Sequence, residues 1–229
     1  MTKVAVCQSN YLPWRGYFDL MRRADVFVFY DDVQYTKNDW RNRNRFRGPN
    51  GSYWLTIPVG SQHACQIDEV VIRDERWQSH HHSSIRHSYA NATQYSHVAP
   101  FLDALYLQRK WNNLSELNRW ATVTIAKQYL QIQTECFVSS QWSLVGKKGD
   151  RLLNLLSAIG ATEYISGPSA ATYIDAEQFD RAGVRLTYLD YDHYPRYPQI
   201  GDSFDGAVSI LDLLCNTGPA AASFIWSEG

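Results

Sequence analysis

The spacing of apolar positions changes from segment to segment along the chain, and each spacing predicts an element. Residues 3–9 read as a short buried strand that runs into the turn-rich Ser9-Asn10-Tyr11-Leu12-Pro13-Trp14. Tyr17, Leu20 and Met21 then share one face of a helix over 16–24. Val26-Phe27-Val28-Phe29-Tyr30 follows as an unbroken apolar run, the pattern of a strand covered on both faces. Together these predict a βαβ opening over 3–32. Asp31 and Asp32 close its second strand, at the carboxyl edge where ligands bind in open parallel sheets.

From residue 40 the pattern changes. Gly48-Pro49-Asn50-Gly51 is a strong turn signal between Arg41–Arg47 and Tyr53–Val59 and predicts a hairpin. Val70-Val71-Ile72 predicts one more strand, and three helical patterns follow near 75–90, 99–110 and 114–130. In the first of these Trp77, His81, Ile85 and Tyr89 recur every four residues on one face. Alternation then resumes as strand 135–139, helix 149–159 ended by Gly160, strand 163–166, helix 175–182 ended by Gly183, strand 185–191 and a last helix over 206–216. The expectation is a single α/β domain over 1–229. Its mostly parallel, Rossmann-like sheet lies in a three-layer sandwich, and 40–130 forms a hairpin-plus-helical insertion.

Composition narrows the class. The 229 residues are 45% hydrophobic and 20% charged, which excludes disordered, collagen-like and disulfide-scaffold chains. A net charge of −1 means that any anion site is a local patch, and it disfavours a nucleic-acid partner. Eight Trp and fifteen Tyr favour a site that grips something flat or sugar-like. Cys7, Cys65, Cys136 and Cys215 form no CxxC pair, and the first residues run directly into Val4-Ala5-Val6 without a secretory pattern. A reduced, cytoplasmic protein with no structural zinc and no membrane span is expected.

Several groups of residues carry candidate chemistry. Gln8, Asn10, Tyr11, Pro13, Trp14, Gly16 and Tyr17 form a polar, aromatic loop ahead of a helix, where backbone amides accept anions; the plain alternative is a turn covering the sheet edge. There is neither a GxGxxG nor a P-loop. The adjacent Asp31 and Asp32 suit a base and its orienting partner, or a Mg²⁺ ion, against the commoner fate of a turn acid. In Trp40-Arg41-Asn42-Arg43-Asn44-Arg45-Phe46-Arg47, period two puts four arginines on one face and Asn42, Asn44 and Phe46 on the other. Arginine at every alternate position points to an anion more than to a solvated face, with Trp40 beside it to stack on a base or sugar. His81 sits on an apolar helix face, so a core or pocket histidine is favoured over a metal ligand. Ser139-Ser140 after a strand, with Lys147-Lys148-Gly149, make another crevice rim but lack a GxSxG elbow. Cys7 reads as a small buried hydrophobe rather than a nucleophile. The three early segments, 8–17, 31–32 and 40–44, are expected to converge on one crevice.

With these residues in view, the chain resembles the WbqC-like protein family. The matching blocks are Gln8-Ser9-Asn10-Tyr11-Leu12-Pro13-Trp14-Arg15-Gly16-Tyr17-Phe18, Asp31-Asp32-Val33-Gln34, Trp40 with Asn42-Arg43-Asn44-Arg45, then Trp77, His81 and Tyr89, Ser139-Ser140, Tyr164 to Gly167, and Ser209-Ile210 with Asp212. Ser9 departs from the family's usual Pro, and Cys7 stands where the family varies, which speaks against an obligatory thiol. The resemblance implies a role in bacterial O-antigen or related polysaccharide biosynthesis, with glycine transfer suggested for one branch. The opening segment also resembles, more distantly, the ATP-using amide ligases of the pantothenate synthetase type, without their signature histidines.

The function expected from these readings is an aminoacyl or acyl transferase that forms an amide on an amino sugar nucleotide. Asp31, Asp32 and His81 are its candidate catalytic residues. Gln8, Asn10, Tyr11, Trp14, Tyr17, Trp40, Asn42, Arg43, Asn44, Tyr89, Ser139, Ser140 and Gly167 are its candidate substrate-binding residues. No cofactor is expected, and the partners are an amino sugar nucleotide and an acyl or aminoacyl donor. One alternative is an ATP-dependent adenylylating ligase, which would bring in Mg²⁺. Another is a non-catalytic sugar- or nucleic-acid-binding module.

Overall fold

A computed structural model describes residues 1–60, 64–74, 76–172, 174–201 and 203–226. Five parallel strands, β1 (Lys3–Cys7), β2 (Val26–Phe29), β5 (Glu135–Val138), β6 (Glu163–Ser166) and β7 (Arg185–Tyr188), form one sheet in the order β5-β2-β1-β6-β7. The chain winds outward from β1 through β2 to β5, then returns to the other side of β1 for β6 and β7. The winding direction therefore reverses between β1 and β6. Crevices at such reversals, outside the strands' carboxyl ends, are where open α/β sheets take ligands.

Each strand feeds two apolar layers because its side chains alternate. Val4 and Val28 meet Leu155, Leu156 and Phe179 on one face. Ala5, Phe27 and Phe29 meet Phe18, Leu20 and Met21 on the other. The first layer is closed by α5 (Lys148–Ile159) and α6 (Ala176–Arg181), the second by α1 (Arg15–Arg23) and the segment between β2 and β5. The three-layer α/β expectation holds. Gly160 ends α5 at φ 73°, a conformation that favours glycine.

The β2–β5 segment carries an antiparallel hairpin, β3 (Arg43–Gly48) and β4 (Gly51–Thr56), then α2 (Trp77–Tyr89), α3 (Tyr95–Tyr106) and α4 (Leu114–Thr124), with a π-type turn over Ile125–Tyr129. The four-residue stripe on α2 is its buried face: Trp77, His81, Ile85 and Tyr89 all lie inside. The expected start of this helix at 75 lies outside the described residues. Helix α3 begins four residues ahead of the expected 99 and accommodates Pro100 in its second turn. The strand expected at Val70–Ile72 does not form. Val70 and Ile72 are buried around an exposed Val71, as in a strand, but the ladder among the described residues is an isolated bridge from Val71 to Asn113, where the chain turns into α4.

The last helix, α7 (Ile210–Thr217), starts later than the expected 206, because Ser209 caps it by accepting the Leu211 N–H. The preceding strap after β7 crosses the molecule instead. Buried Arg15 anchors it by donating to the Pro195 carbonyl at 2.7 Å, with its guanidinium 4.7 Å from the Tyr194 ring centre. Among the described residues no helix is long and apolar enough to cross a membrane.

Candidate active site

The β1–α1 loop is pinned against the hairpin by a small set of hydrogen bonds. The Tyr11 N–H donates to the Trp40 carbonyl at 2.9 Å. The buried Asn44 amide donates to the carbonyls of Tyr11 and Leu12, at 2.9 and 2.7 Å. Leu12 holds φ 44°, an unusual value for a residue with a side chain, and the two Asn44 bonds secure that turn. Ile210 at the start of α7 closes the loop by donating to the Pro13 carbonyl.

This construction leaves a slot of about 230 Å³ lined by Asn10, Pro13, Trp14, Trp40, Asn44 and Ala207. Two indoles and two carboxamides dominate its wall. Trp14 folds back over the start of α1, and a Cβ on Gly16 would stand 2.3 Å from its indole. Glycine at 16 is therefore what lets Trp14 lie there. Behind Trp14 stand Tyr191 and Tyr194 of the strap, edge-on at 4.9 and 5.8 Å.

A second crevice, of about 500 Å³, takes Gln8 of the same loop into its wall. Val6, Cys7, Gln8, Tyr30, Lys148, Gly149, Leu152, Tyr164 and Ile174 line it. These residues lie at the carboxyl ends of β1 and β2, on β6 and in the first two turns of α5, with Ile174 just ahead of α6. Helix α5 has no side-chain cap, so its opening amides suit an anion. Gln8 lines the crevice and Asn10 the slot. Two residues span at most about 7 Å, so a short stretch of backbone links the walls of the two cavities.

Asp32, two residues after the crevice residue Tyr30, is held on both oxygens. Arg151 donates to Oδ2 at 2.6 Å and to Oδ1 at 3.3 Å, and the Ser139 hydroxyl also donates to Oδ1. The Arg151 guanidinium sits 5.0 Å over the Tyr30 ring, which forms part of the crevice wall.

The other two candidate catalytic groups lie elsewhere. Asp31 is buried, where it accepts the Ser9 N–H at 2.8 Å and the Ser115 hydroxyl. Burial raises its pKa, and its geometry is that of a tie between the loop and α4. His81 is buried among Trp77, Tyr106 and Tyr11, with Nδ1 2.8 Å from the Tyr11 hydroxyl. Burial, with neighbouring His80, pushes its pKa down to about 3, so the ring is neutral at ordinary pH. His81 is a core residue that lines neither cavity. The Cys7 thiol is pushed up to about 11 by burial, which leaves no thiolate nucleophile there at neutral pH.

The remaining candidates divide in the same way. Asn10, Trp14, Trp40 and Asn44 line the slot, and Gln8 lines the crevice. Tyr11, Tyr17, Asn42 and Tyr89 are buried supports instead. Tyr11 bonds His81, and Tyr17 donates to the Gln8 carbonyl at 3.0 Å. Asn42 donates to the Ile57 carbonyl, and the Tyr89 hydroxyl accepts the Arg47 N–H at 2.8 Å. Ser139 holds Asp32, and Ser140 is exposed. Gly167 makes room for Tyr191, whose hydroxyl would stand 3.1 Å from a Cβ there. Segments 8–17 and 40–44 thus converge on the slot, while Asp31 ties Ser9 of the first segment to Ser115 of α4 and Asp32 faces Arg151.

Asn42, Asn44 and Phe46 point inward as period two requires. Most of the arginine row, however, already has acceptors within the chain. Arg41 pairs with Asp39 and Arg45 with Asp205, and Arg47 donates to the carbonyls of Ile200 and Ser203. Arg43 instead lies 4.4 Å over the Trp54 ring, and its Nε is buried without an acceptor. Among the described residues no three His, Cys, Asp or Glu side chains are grouped to hold a metal ion.

Sequence reasoning missed Arg151, Trp54 and Ala207. Trp54 had a signal, since hairpin alternation places it opposite Arg45 on the arginine face. Arg151 and Ala207 had none, because only tertiary packing brings α5 to Asp32 and the strap to the slot.

The profile of the WbqC-like protein family matches residues 8–224. The chain is 44% identical over 228 residues to the uncharacterized protein Rv1507c of Mycobacterium tuberculosis (strain ATCC 25618 / H37Rv), covering 98% of each. No solved structure matches it.

Proposed function

The chain belongs to the WbqC-like protein family, and from that premise we propose that it is an aminoacyl or acyl transferase forming an amide on an amino sugar carried as a nucleotide. The observation that carries this reading is the pair of cavities to which the same β1–α1 loop contributes, Asn10, Pro13 and Trp14 to one and Gln8 to the other. One is a small slot with indole and carboxamide walls, and the other a larger crevice at the winding reversal of the sheet.

The slot suits a single sugar ring, whose apolar face lies on an indole while its hydroxyls meet Asn10 and Asn44. The crevice falls within the 300–1,000 Å³ usual for small-molecule sites, and it suits the activated acyl donor. Lys148 and the first amides of α5 would face the donor's anionic part.

In the proposed step the sugar's amine attacks the carbonyl carbon of the activated donor. A C–N bond forms, the bond to the donor's leaving group breaks, and the ammonium proton passes to Asp32. Arg151 and Ser139 fix the orientation of that carboxylate, and proton transfer requires Arg151 to yield one of its two bonds. Asp31 and His81 take no part beyond positioning the loop.

The uncapped start of α5 also suits a nucleoside triphosphate, which favours ATP-dependent ligation as the second reading. A thermal-shift panel of amino sugar nucleotides, ATP and acyl donors separates the two. A ligand at a hundred times its Kd adds about 2.7 kcal/mol, or roughly 5–10 °C for a chain of this size. The transferase reading expects a shift with the amino sugar nucleotide that Trp14→Ala abolishes. A shift with ATP alone favours the ligase.

A further inference from the structure

At about 230 Å³ the slot is smaller than sites that enclose a whole ligand, so one ring fills it and the rest of a sugar nucleotide must lie outside. Trp40, a slot residue, also contacts Trp54 on β4, with ring centres 5.4 Å apart and planes tilted by 34°. These two indoles are 43% and 44% exposed, whereas the other six tryptophans are all buried or half-buried. An exposed indole pair that continues a cavity wall is apolar surface for which the fold itself has no use.

Arg43 stands beside the pair, over Trp54. It is the one guanidinium of its row that, among the described residues, meets no carboxylate or carbonyl. A flat surface and a cation that no carboxylate or carbonyl holds, joined to a ring-sized slot through a shared tryptophan, match the parts of one ligand class.

We propose that Trp40, Trp54 and Arg43 form a nucleoside diphosphate subsite, with the base stacked on Trp54, the diphosphate on Arg43 and the attached sugar in the slot. This inference rests on the reading of the slot as the amino sugar site. It also assigns the nucleotide to the hairpin rather than to the crevice at the sheet reversal, which is then left to the acyl donor. Removing an aromatic that stacks on a base weakens binding by about 5- to 150-fold. Every base has such a face, so the platform grips nucleotides with little preference among them, and selection falls to the sugar slot.

The test is calorimetric titration of the full chain with uridine, thymidine, guanosine and adenosine diphosphates, and with inorganic pyrophosphate. At least one nucleoside diphosphate is expected to bind and to quench tryptophan fluorescence. Trp54→Ala should weaken that binding about tenfold or more and leave pyrophosphate binding unchanged. Arg43→Ala should weaken both and flatten the salt dependence. Circular dichroism checks that both variants stay folded.

The subsite is overturned, and the transferase reading left standing, if Trp54→Ala binds nucleotides normally while Lys148→Ala does not. It is overturned equally if the platform takes oligosaccharides but no nucleotide. If neither nucleoside diphosphates nor amino sugar nucleotides bind the wild-type chain, both readings fall together.

Discussion

Replacing His81 by Gln should change how stability depends on pH. The imidazole is 2% exposed, one nitrogen meets the Tyr11 hydroxyl, and the ring also reaches the Thr56 backbone. Its pKa falls from 6.5 in the unfolded chain to about 3 in the native one. Between those values the unfolded chain binds the extra proton, so stability is complete above pH 6.5 and is lost as pH falls. Each full unit costs about 1.4 kcal/mol, and the loss between pH 7.5 and 4.5 is about 2.5 kcal/mol. Glutamine does not titrate. The variant starts less stable at every pH because it packs poorly, but its curve should lack this component. Urea unfolding at half-unit pH steps reads the difference between the two curves, in which contributions from other groups cancel. Parallel curves from pH 7.5 to 4.5 would refute a neutral, buried His81.

Further expectations concern the loop and its supports. Asn44→Ala removes the donor that serves the Tyr11 and Leu12 carbonyls, and should cost about 2–4 kcal/mol, a melting temperature lower by roughly 5–15 °C. Gly16→Ala should displace Trp14 from the slot wall; near-ultraviolet circular dichroism and loss of ligand binding report this, and an unchanged aromatic spectrum would argue against the crowding. Cys7, with its thiol near 11, should alkylate about 300-fold more slowly at pH 7.5 than an ordinary exposed cysteine, as peptide mass spectrometry would show.

The parallel sheet was legible because its strands obey local rules. Val26–Phe29 is apolar on both faces, and Gly160 and Gly183 end their helices at positive φ. The hairpin was legible for the same reason, down to the inward Asn42, Asn44 and Phe46, whereas Arg47, expected on the open face with the other arginines, is buried where it donates to the Ile200 and Ser203 carbonyls. Val70–Ile72 misled because its alternation is real but among the described residues it meets Asn113 through an isolated bridge and not a strand. At the site, the sequence identified the wall residues Asn10, Trp14, Trp40 and Asn44. It could not separate wall from support, because Tyr11, Tyr17 and Tyr89 have the same residue chemistry as a ligand-facing tyrosine. Nor did it find the partners that settle the role of each charge. Asp205 for Arg45 and Arg151 for Asp32 lie more than a hundred residues away, and only packing selects them.

Amide formation on an amino sugar nucleotide is read by mass spectrometry of a single reaction mixture. The mixture holds the purified chain, a panel of nucleoside diphosphate amino sugars and an activated aminoacyl donor. One sugar nucleotide should gain the mass of the acyl group. Asp32→Asn should lower turnover far more than it weakens acceptor binding, with the fold intact. Unmodified sugars beside AMP and pyrophosphate from added ATP would overturn the transferase reading, as would an Asp32→Asn variant that turns over normally.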